Sequence, residues 1–173
     1  QLALQEAIGL NDAELSRLIA RSPYTYKVYT IPKKSGGVRT IAQPAKETKY
    51  LQYWLMSNFF GRLPVHSAAA AYKPGASVKG NALVHAGHAY ISKFDFKGFF
   101  PSIKISDLVL HLAKHLSDVF SSTDLRRVAR ISCISPGGSG ELCLSIGAPS
   151  SPVLSNSVMF EFDELVSCWC AEK

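Results

Sequence analysis

Cysteines, long apolar runs and acidic residues are all scarce in this sequence, and each shortage narrows its interpretation. The 173 residues include four cysteines without C-x-x-C spacing, so neither a zinc site nor a disulfide framework is indicated. A reduced, cytoplasmic setting is therefore expected. No apolar run approaches the ~20 residues of a membrane-spanning helix, and the N-terminus lacks the basic flank of a secretory signal, so no membrane association is expected.

Acidic residues are rarest in the middle of the chain. Lysine and arginine number 19 against 13 aspartate and glutamate residues, which gives a net charge of +6. Asp95 is the only acidic residue between Glu47 and Asp107, whereas the basic residues of this stretch are Lys49, Arg62, Lys73, Lys79, Lys93, Lys97 and Lys104. Such a surface favours a polyanionic partner, with nucleic acid the first candidate. A soluble basic protein without such a partner has the same composition, so the alternative stays open.

Hydrophobic spacing predicts a mixture of helices and short strands. The first helix is capped by Asn11 or Asp12. Further helices are predicted for residues 46–60, for 78–86 after a Ser77 cap, for 106–116, for about 123–132, and from Pro152 onward. Extended runs on both sides of residues 34–37 predict a hairpin with a basic tip, and residues 89–95 alternate as a strand. Because no regular βαβ rhythm is present, an α+β fold is favoured.

Asp95 stands at the end of the predicted strand 89–95, inside the basic region. A carboxylate that faces a basic cleft suits Mg²⁺-dependent phosphoryl transfer, because hard cations bind oxygen ligands and neutralise charge on the phosphate. An aspartate at the end of a strand also often caps the turn that follows it. The residue by itself leaves both interpretations open.

Four motifs in a fixed order carry a resemblance to a known family. The strings FDFKGFFPSI (94–103) and GAPSSP (147–152) resemble the first catalytic motif and the second palm motif of reverse transcriptases. The string IPKKSGGVRTI (31–41), followed by QP, resembles the fingers hairpin of the bacterial enzymes. NALVH (81–85) fits the N-A-x-x-H motif of the retron-type enzymes. Together these motifs make the chain resemble the front part of a retron-type reverse transcriptase.

The resemblance implies a role for each matching residue. Asp95 and the backbone carbonyl of Phe96 would bind two catalytic Mg²⁺ ions, in a site that is completed beyond Lys173. The residues implied to contact an incoming deoxynucleotide are Lys33 and Arg39 at its triphosphate, Phe100 at its sugar, and Gly147. The residues implied to contact the template RNA are Asn81, His85, Pro149, Ser150 and Ser151.

Most of these residues also have a structural interpretation. Phenylalanine is often buried, so Phe100 could be a core residue. Lys33 and Arg39 could be solvated at a hairpin tip. Residues 147–152 have a sequence that is typical of the start of a helix. Ile146 departs from the family, because many reverse transcriptases have Gln at this position, and the change bears on nucleotide binding and fidelity.

Three polar side chains on one predicted helix have the spacing of possible metal ligands. Asp107, His111 and His115 fall at i, i+4 and i+8 spacing, which puts them on the same face. A solvated face is favoured over a metal site, because the H-E-x-x-H pattern of helical zinc sites is absent.

The implied fold is the fingers and part of the palm of a right-hand polymerase. The resemblance divides the chain into fingers (1–88), a first part of the palm with Asp95 (89–119), a second pass through the fingers (120–150) and a palm helix (151–173). The family's Tyr-x-Asp-Asp motif and thumb would follow Lys173, so these residues alone are expected not to polymerise.

The implied function of the whole enzyme is that of a bacterial retron reverse transcriptase. Such an enzyme would copy a structured noncoding RNA into DNA that stays joined to the RNA, using deoxynucleoside triphosphates. Family analogy adds phage defence and an effector protein as partner. Two alternatives stay open: an RNA-binding module with a degenerate polymerase site, and a group II intron-like reverse transcriptase, which the N-A-x-x-H string disfavours.

Overall fold

The computed structural model describes residues 9–34, 36–73, 75–138 and 140–172, which form helices around a single hairpin. The strands are β1 (Tyr26–Pro32) and β2 (Val38–Pro44). The helices are α1 (Asp12–Arg21), α2 (Lys46–Asn58), α3 (Val78–His85), α4 (Phe99–Ser102), α5 (Ile105–Leu116), α6 (Ser122–Ser132), α7 (Ser151–Val158) and α8 (Phe160–Ala171). No helix in these ranges is long and apolar enough to cross a bilayer. The predicted α+β class is confirmed.

Helix α1 begins where its cap was predicted. The Asn11 side chain accepts hydrogen bonds from the backbone N–H groups of Ala13 and Glu14 at 3.1 and 3.0 Å. The Glu14 carboxylate in turn accepts from the Asn11 N–H at 2.9 Å, so the capping box is complete. The apolar face of the helix, Leu15, Leu18 and Ile19, is buried.

The predicted hairpin is present, with β1 and β2 paired antiparallel from Tyr26 opposite Pro44 to Pro32 opposite Val38. Gly36 and Gly37 adopt positive φ values of 86° and 78° at the turn, a conformation that glycine adopts without steric cost. Ser35, which belongs to the predicted tip, lies outside the described residues.

The core is an apolar cluster between α1, α2, α5, α6 and the start of α7. Its fully buried members include Leu15, Leu51, Leu55, Leu108, Leu112, Leu116, Ile131, Leu144 and Leu154. On α5 these leucines recur every four residues, the spacing that puts side chains on one helix face. The helices predicted for 46–60, 78–86, 106–116 and 123–132 are confirmed to within two residues at each end.

Two features of the second half differ from prediction. Residues 89–96 form no strand and are exposed, so the strand predicted before Asp95 is wrong. An alternating pattern yields a strand only when another strand pairs with it, and the sheet of the described residues contains β1 and β2 alone. The helix predicted from Pro152 does have Pro152 in its first turn, but it is divided at Met159 into α7 and α8.

Candidate active site

A cleft of about 740 Å³ lies between the hairpin and the helical body. One wall is the hairpin, and the other comes from the turn after Asp95 and from residues 134–138 and 143–146. Parts of the chain that are distant in sequence therefore meet at one cavity. The residues that line the cleft include Lys33, Arg39, Gly98, Pro101, Ser145 and Ile146.

The cleft has its shape because β2 is hydrogen-bonded to the segment that precedes Gly147. The N–H of Ala42 donates to the carbonyl of Ile146 at 2.7 Å, and the Ser145 hydroxyl donates to the carbonyl of Ala42 at 3.2 Å. Ile146 therefore contributes its backbone to the hairpin junction, while the residue itself lines the cleft. The position that departs from the usual Gln therefore lies in the wall of the cleft.

Gly147 fits this junction because it has no side chain. Its φ is +116°, and a Cβ added there would lie 2.8 Å from Ile41 Cγ2 and 3.0 Å from the Ala42 carbonyl oxygen. The absence of a side chain therefore allows the backbone at Gly147 to lie close to strand β2 of the same chain. Contact between Gly147 and a nucleotide stays a prediction.

A buried hydrogen-bond network fixes the base of the hairpin. The Tyr26 hydroxyl donates to the carbonyl of Cys133 at 3.3 Å. The Gln52 amide donates to the Tyr26 oxygen at 3.2 Å and to the Ile131 carbonyl at 2.8 Å. Burial raises the pKa of Tyr26 far above its ordinary value, with the Gln52 hydrogen bond opposing the shift, so the phenol remains a neutral donor. Sequence analysis missed this network, because its members lie 26 to 107 positions apart.

Lys33 and Arg39 both line the cleft, as the prediction of a shared phosphate site requires. Arg39 pairs with Ile31 across the hairpin, and the turn at Lys33 is closed by its N–H, which donates to the Gly37 carbonyl at 3.0 Å. Neither side chain has a carboxylate partner among the described residues. Two exposed cations on one wall are available to a polyphosphate.

Asp95 lies in the extended segment before the cleft, three residues ahead of the lining residue Gly98. Mg²⁺ prefers oxygen ligands in octahedral geometry, and a carboxylate with a neighbouring carbonyl has the right chemistry. The ranges described contain no group of three or more side chains that could hold a metal ion. Asp95 and Phe96 therefore fit part of a magnesium site and do not complete one.

The aromatic residues after Asp95 pack in a chain that leads from the exposed segment to the core. The ring centroid of Phe96 lies 5.7 Å from the ring centroids of both Phe99 and Phe162. The ring centroids of Phe99 and Phe100 are 5.6 Å apart. Phe100 is half-buried against the core, while its neighbour Pro101 lines the cleft. The ring is thus at the boundary between core and cleft, and its contact with a sugar stays a prediction.

The predicted RNA-contacting residues fall into two groups with different exposure. Pro149 is half-buried, and Ser150 and Ser151 are 0% and 1% exposed; their hydroxyls have no hydrogen-bond partner in the part of the chain described. Asn81 and His85 lie on α3, which is exposed on every face and is capped by the Ser77 hydroxyl, an acceptor from the Gly80 N–H at 3.0 Å. Asn81 and His85 are therefore accessible to a large ligand. Ser150 and Ser151 could contact one only through their backbone or after a rearrangement.

Asp107, His111 and His115 do not share a solvated face as the sequence suggested. The Asp107 carboxylate caps α5 by accepting from the Lys104 N–H at 2.8 Å. The His111 Nε2 is 2.6 Å from the Ser157 hydroxyl on α7. Burial and the nearby His115 lower the pKa of His111 to about 4. His111 is therefore a neutral contact between α5 and α7, and sequence spacing within α5 carried no sign of that partner.

Comparison with known proteins gives a consistent result over most of the chain. No family model matches it. The chain is 40% identical over 153 residues to the retron Ec73 reverse transcriptase of Escherichia coli, which is 84% of this chain and 47% of that protein. It is 38% identical over 159 residues to the retron Ec83 reverse transcriptase of Escherichia coli (90% and 50%). With the retron Mx162 reverse transcriptase of Myxococcus xanthus the identity is 35% over 179 residues, which is 95% of this chain and 37% of that protein.

The chain spans about half the length of the Ec73 and Ec83 relatives. Several members of one family match at 35–40% identity over most of this chain. The chain therefore belongs to the retron-type reverse transcriptases.

Proposed function

We propose that the full-length protein is an RNA-directed DNA polymerase of a retron. The observation that carries the proposal is the 740 Å³ cleft, which brings Lys33 and Arg39 opposite the turn after Asp95 and beside Ile146. Two of the four motifs that resemble the family therefore line one cavity, and a third, which begins at Gly147, directly follows the lining residue Ile146. A cleft of this size lies in the range of small-molecule sites and would admit a deoxynucleoside triphosphate.

The proposed nucleotide site uses the two walls differently. Lys33 and Arg39 bind the triphosphate, and Arg39 suits this because its fork can meet two phosphate oxygens at once. Phe100, on the opposite side, closes against the sugar. Gly147 allows the hairpin to pack against residues 145–146. This packing fixes the position of Lys33 and Arg39 relative to Asp95.

Asp95 and the Phe96 carbonyl are the proposed ligands that this chain contributes to Mg²⁺, with further carboxylates from outside the described residues. Bound Mg²⁺ would neutralise charge on the transferring phosphate. The residues of this chain have the complementary task of holding the triphosphate in line with the primer. The proposed fold assignment is fingers for 1–88 and 120–150, and palm for 89–119 and 151–173.

The proposed macromolecular partner is a structured noncoding RNA, which serves as template and primer and remains joined to the DNA product. Asn81 and His85, on the exposed helix α3, are the residues best placed to contact it, with Pro149, Ser150 and Ser151 as further candidates. A cytoplasmic location, a role in phage defence and an effector protein as partner belong to the same proposal and rest on family analogy.

A second candidate function is an RNA-binding module without polymerase activity. Ile146, at the position where many reverse transcriptases have Gln, favours it. Incubating the full-length protein with its RNA, deoxynucleotides and Mg²⁺ separates the two. Extension of DNA from the RNA is expected of the polymerase, whereas tight RNA binding without extension would favour the binding module.

A further inference from the structure

Tyr72 has an unusual backbone conformation and an exposed ring. Its φ is +58°, the only positive value at a non-glycine residue among those described, and this region is disfavoured for bulky L residues. The residue is 62% exposed. In the described ranges the ring has neither a hydrogen bond nor a ring contact, so local folding gives no reason for a tyrosine here.

The loop around Tyr72 holds this conformation from both sides. The Asn156 amide on α7 donates to the carbonyl of Ala71 at 2.9 Å. The Lys73 ammonium donates to the carbonyl of Ser67 at 3.0 Å. A glycine would meet the same backbone requirement without strain. Strained backbone that is fixed by its surroundings is often found at ligand-binding positions. Here the strained backbone holds the Tyr72 ring in an exposed position.

Two clefts meet at Tyr72. The first, of about 380 Å³, has a largely apolar lining that includes Met56, Phe60, Leu63 and Val153, with Lys73 also in its wall. The second, of about 570 Å³, is lined by alanines together with Ser77 and Asn81. Neither lining includes an acidic residue. The exposed ring thus lies between an apolar cleft with a cation in its wall and a cleft that is lined mainly by alanines, with Ser77 and Asn81 as its polar residues.

We propose that Tyr72 is a stacking platform for a base of single-stranded RNA, with the adjoining nucleotides in the two clefts. Proteins bind single-stranded nucleic acid by stacking bases on exposed aromatic rings beside cations that meet the phosphates. Lys73 is next to the ring, and the Asn81 amide in the second cleft can donate to and accept from a base edge. The inference rests on the proposed function and adds a base-binding position that is separate from the 740 Å³ cleft.

The surrounding charge favours RNA over an acidic or apolar peptide. Between Glu47 and Asp107 the only carboxylate is Asp95, so the charge that flanks Tyr72 in the sequence is mostly basic. Glu164 on α8 does bring a carboxylate within 3.3 Å of Nε2 of His66, in the wall of the first cleft. The two cavities on either side of a single flat ring also suit consecutive bases that are splayed apart.

The test is equilibrium binding of fluorescein-labelled twelve-nucleotide oligoadenylate to the full-length protein and to three Tyr72 variants. Tyr72→Phe keeps the ring, Tyr72→Ala removes it, and Tyr72→Gly removes it while relieving the backbone strain. The matched control is Tyr53→Ala, which deletes another half-exposed ring on the outer face of α2. Melting temperature and DNA synthesis are measured on the same samples.

The Ala and Gly variants are expected to bind about tenfold more weakly, since stacking on one aromatic side chain contributes this much per base. The Phe variant and the Tyr53 control should stay within about twofold of wild type, and Tyr72→Gly should melt no lower than wild type. Unchanged affinity of the Ala and Gly variants would overturn the stacking proposal, whether the site is unused or serves a peptide. Failure of the wild-type protein to make DNA would instead overturn the proposed function, and it would leave the comparison of RNA affinities intact.

Discussion

Gly147 lies against Ile41 so closely that a β carbon at position 147 would be 2.8 Å from Ile41 Cγ2. This contact joins the second palm-type motif to the hairpin, together with the hydrogen bond from Ala42 to Ile146. The position of the cationic wall of the cleft therefore depends on a residue that has no side chain.

Gly147→Ala is expected to lower the free energy of unfolding by about 1–3 kcal/mol, because φ of +116° is strained for alanine and the Ala42 backbone cannot move away cheaply. Denaturant unfolding measures the change. Gly61→Ala is the matched control, since nothing lies within 4 Å of a Cβ there and its φ is not positive. Equal effects of the two substitutions would show that the hairpin junction does not constrain residue 147.

Arg39→Ala is expected to raise the KM for deoxynucleotides about tenfold or more in the full-length enzyme, with RNA affinity little changed. One charge-assisted contact is worth about 1.5–3 kcal/mol. Lys27→Ala provides the control, because Lys27 is on the same hairpin and does not line the 740 Å³ cleft. A loss of RNA affinity with an unchanged KM would assign Arg39 to the template path.

Phe100→Ala is expected to reduce discrimination against ribonucleotides, measured as the ratio of the two kcat/KM values. The proposed reason is that the ring leaves no room for a 2′-OH. Phe99→Ala is a suitable control, since Phe99 is also partly buried against the core and its ring centroid lies 5.6 Å from that of Phe100. If both variants lose stability and neither changes selectivity, Phe100 is only a packing residue.

Acidification is expected to destabilise the protein through His111. Its pKa is lowered from 6.5 to about 4 in the folded state, so the folded state binds fewer protons than the unfolded state between these values. The stabilising contribution is present above about pH 6.5 and is lost as the pH falls toward 4. Charged groups that act on His111 are His115, Lys114 and Glu161.

Melting temperatures at pH 7 and pH 5 for wild type and His111→Gln measure this effect. The wild type is expected to lose more stability than the variant, since glutamine does not titrate. His115→Gln should weaken the wild-type response only in part, because the burial of His111 remains while the contribution of His115 to its lowered pKa is lost. Identical pH dependence of wild type and His111→Gln would contradict the assignment.

The sequence predicted the elements whose signals are local. The Asn11 cap, the leucines of α5 and the Gly36-Gly37 turn each determine structure within a few residues, and the structure has all three. The strand before Asp95 was predicted wrongly, because a strand depends on a partner that a local pattern does not contain.

Contacts between residues that are distant in the sequence could not be predicted from local sequence patterns. Tyr26 and Gln52 meet across 26 positions, and His111 and Ser157 across 46. The motifs did identify Lys33 and Arg39, which the structure brings to one cleft. They gave no indication that Ser150 and Ser151 would be buried.

The most direct test of the proposed polymerase is DNA synthesis by the full-length protein with Asp95→Asn. Asp95 is exposed in a segment without regular structure, so the substitution should leave melting temperature and RNA affinity unchanged. Because the amide removes the charge that would bind Mg²⁺, synthesis is expected to fall by several orders of magnitude. Asp118→Asn, an exposed carboxylate paired with Arg62, should leave synthesis at the wild-type level. Near-normal synthesis by Asp95→Asn would contradict the proposed site.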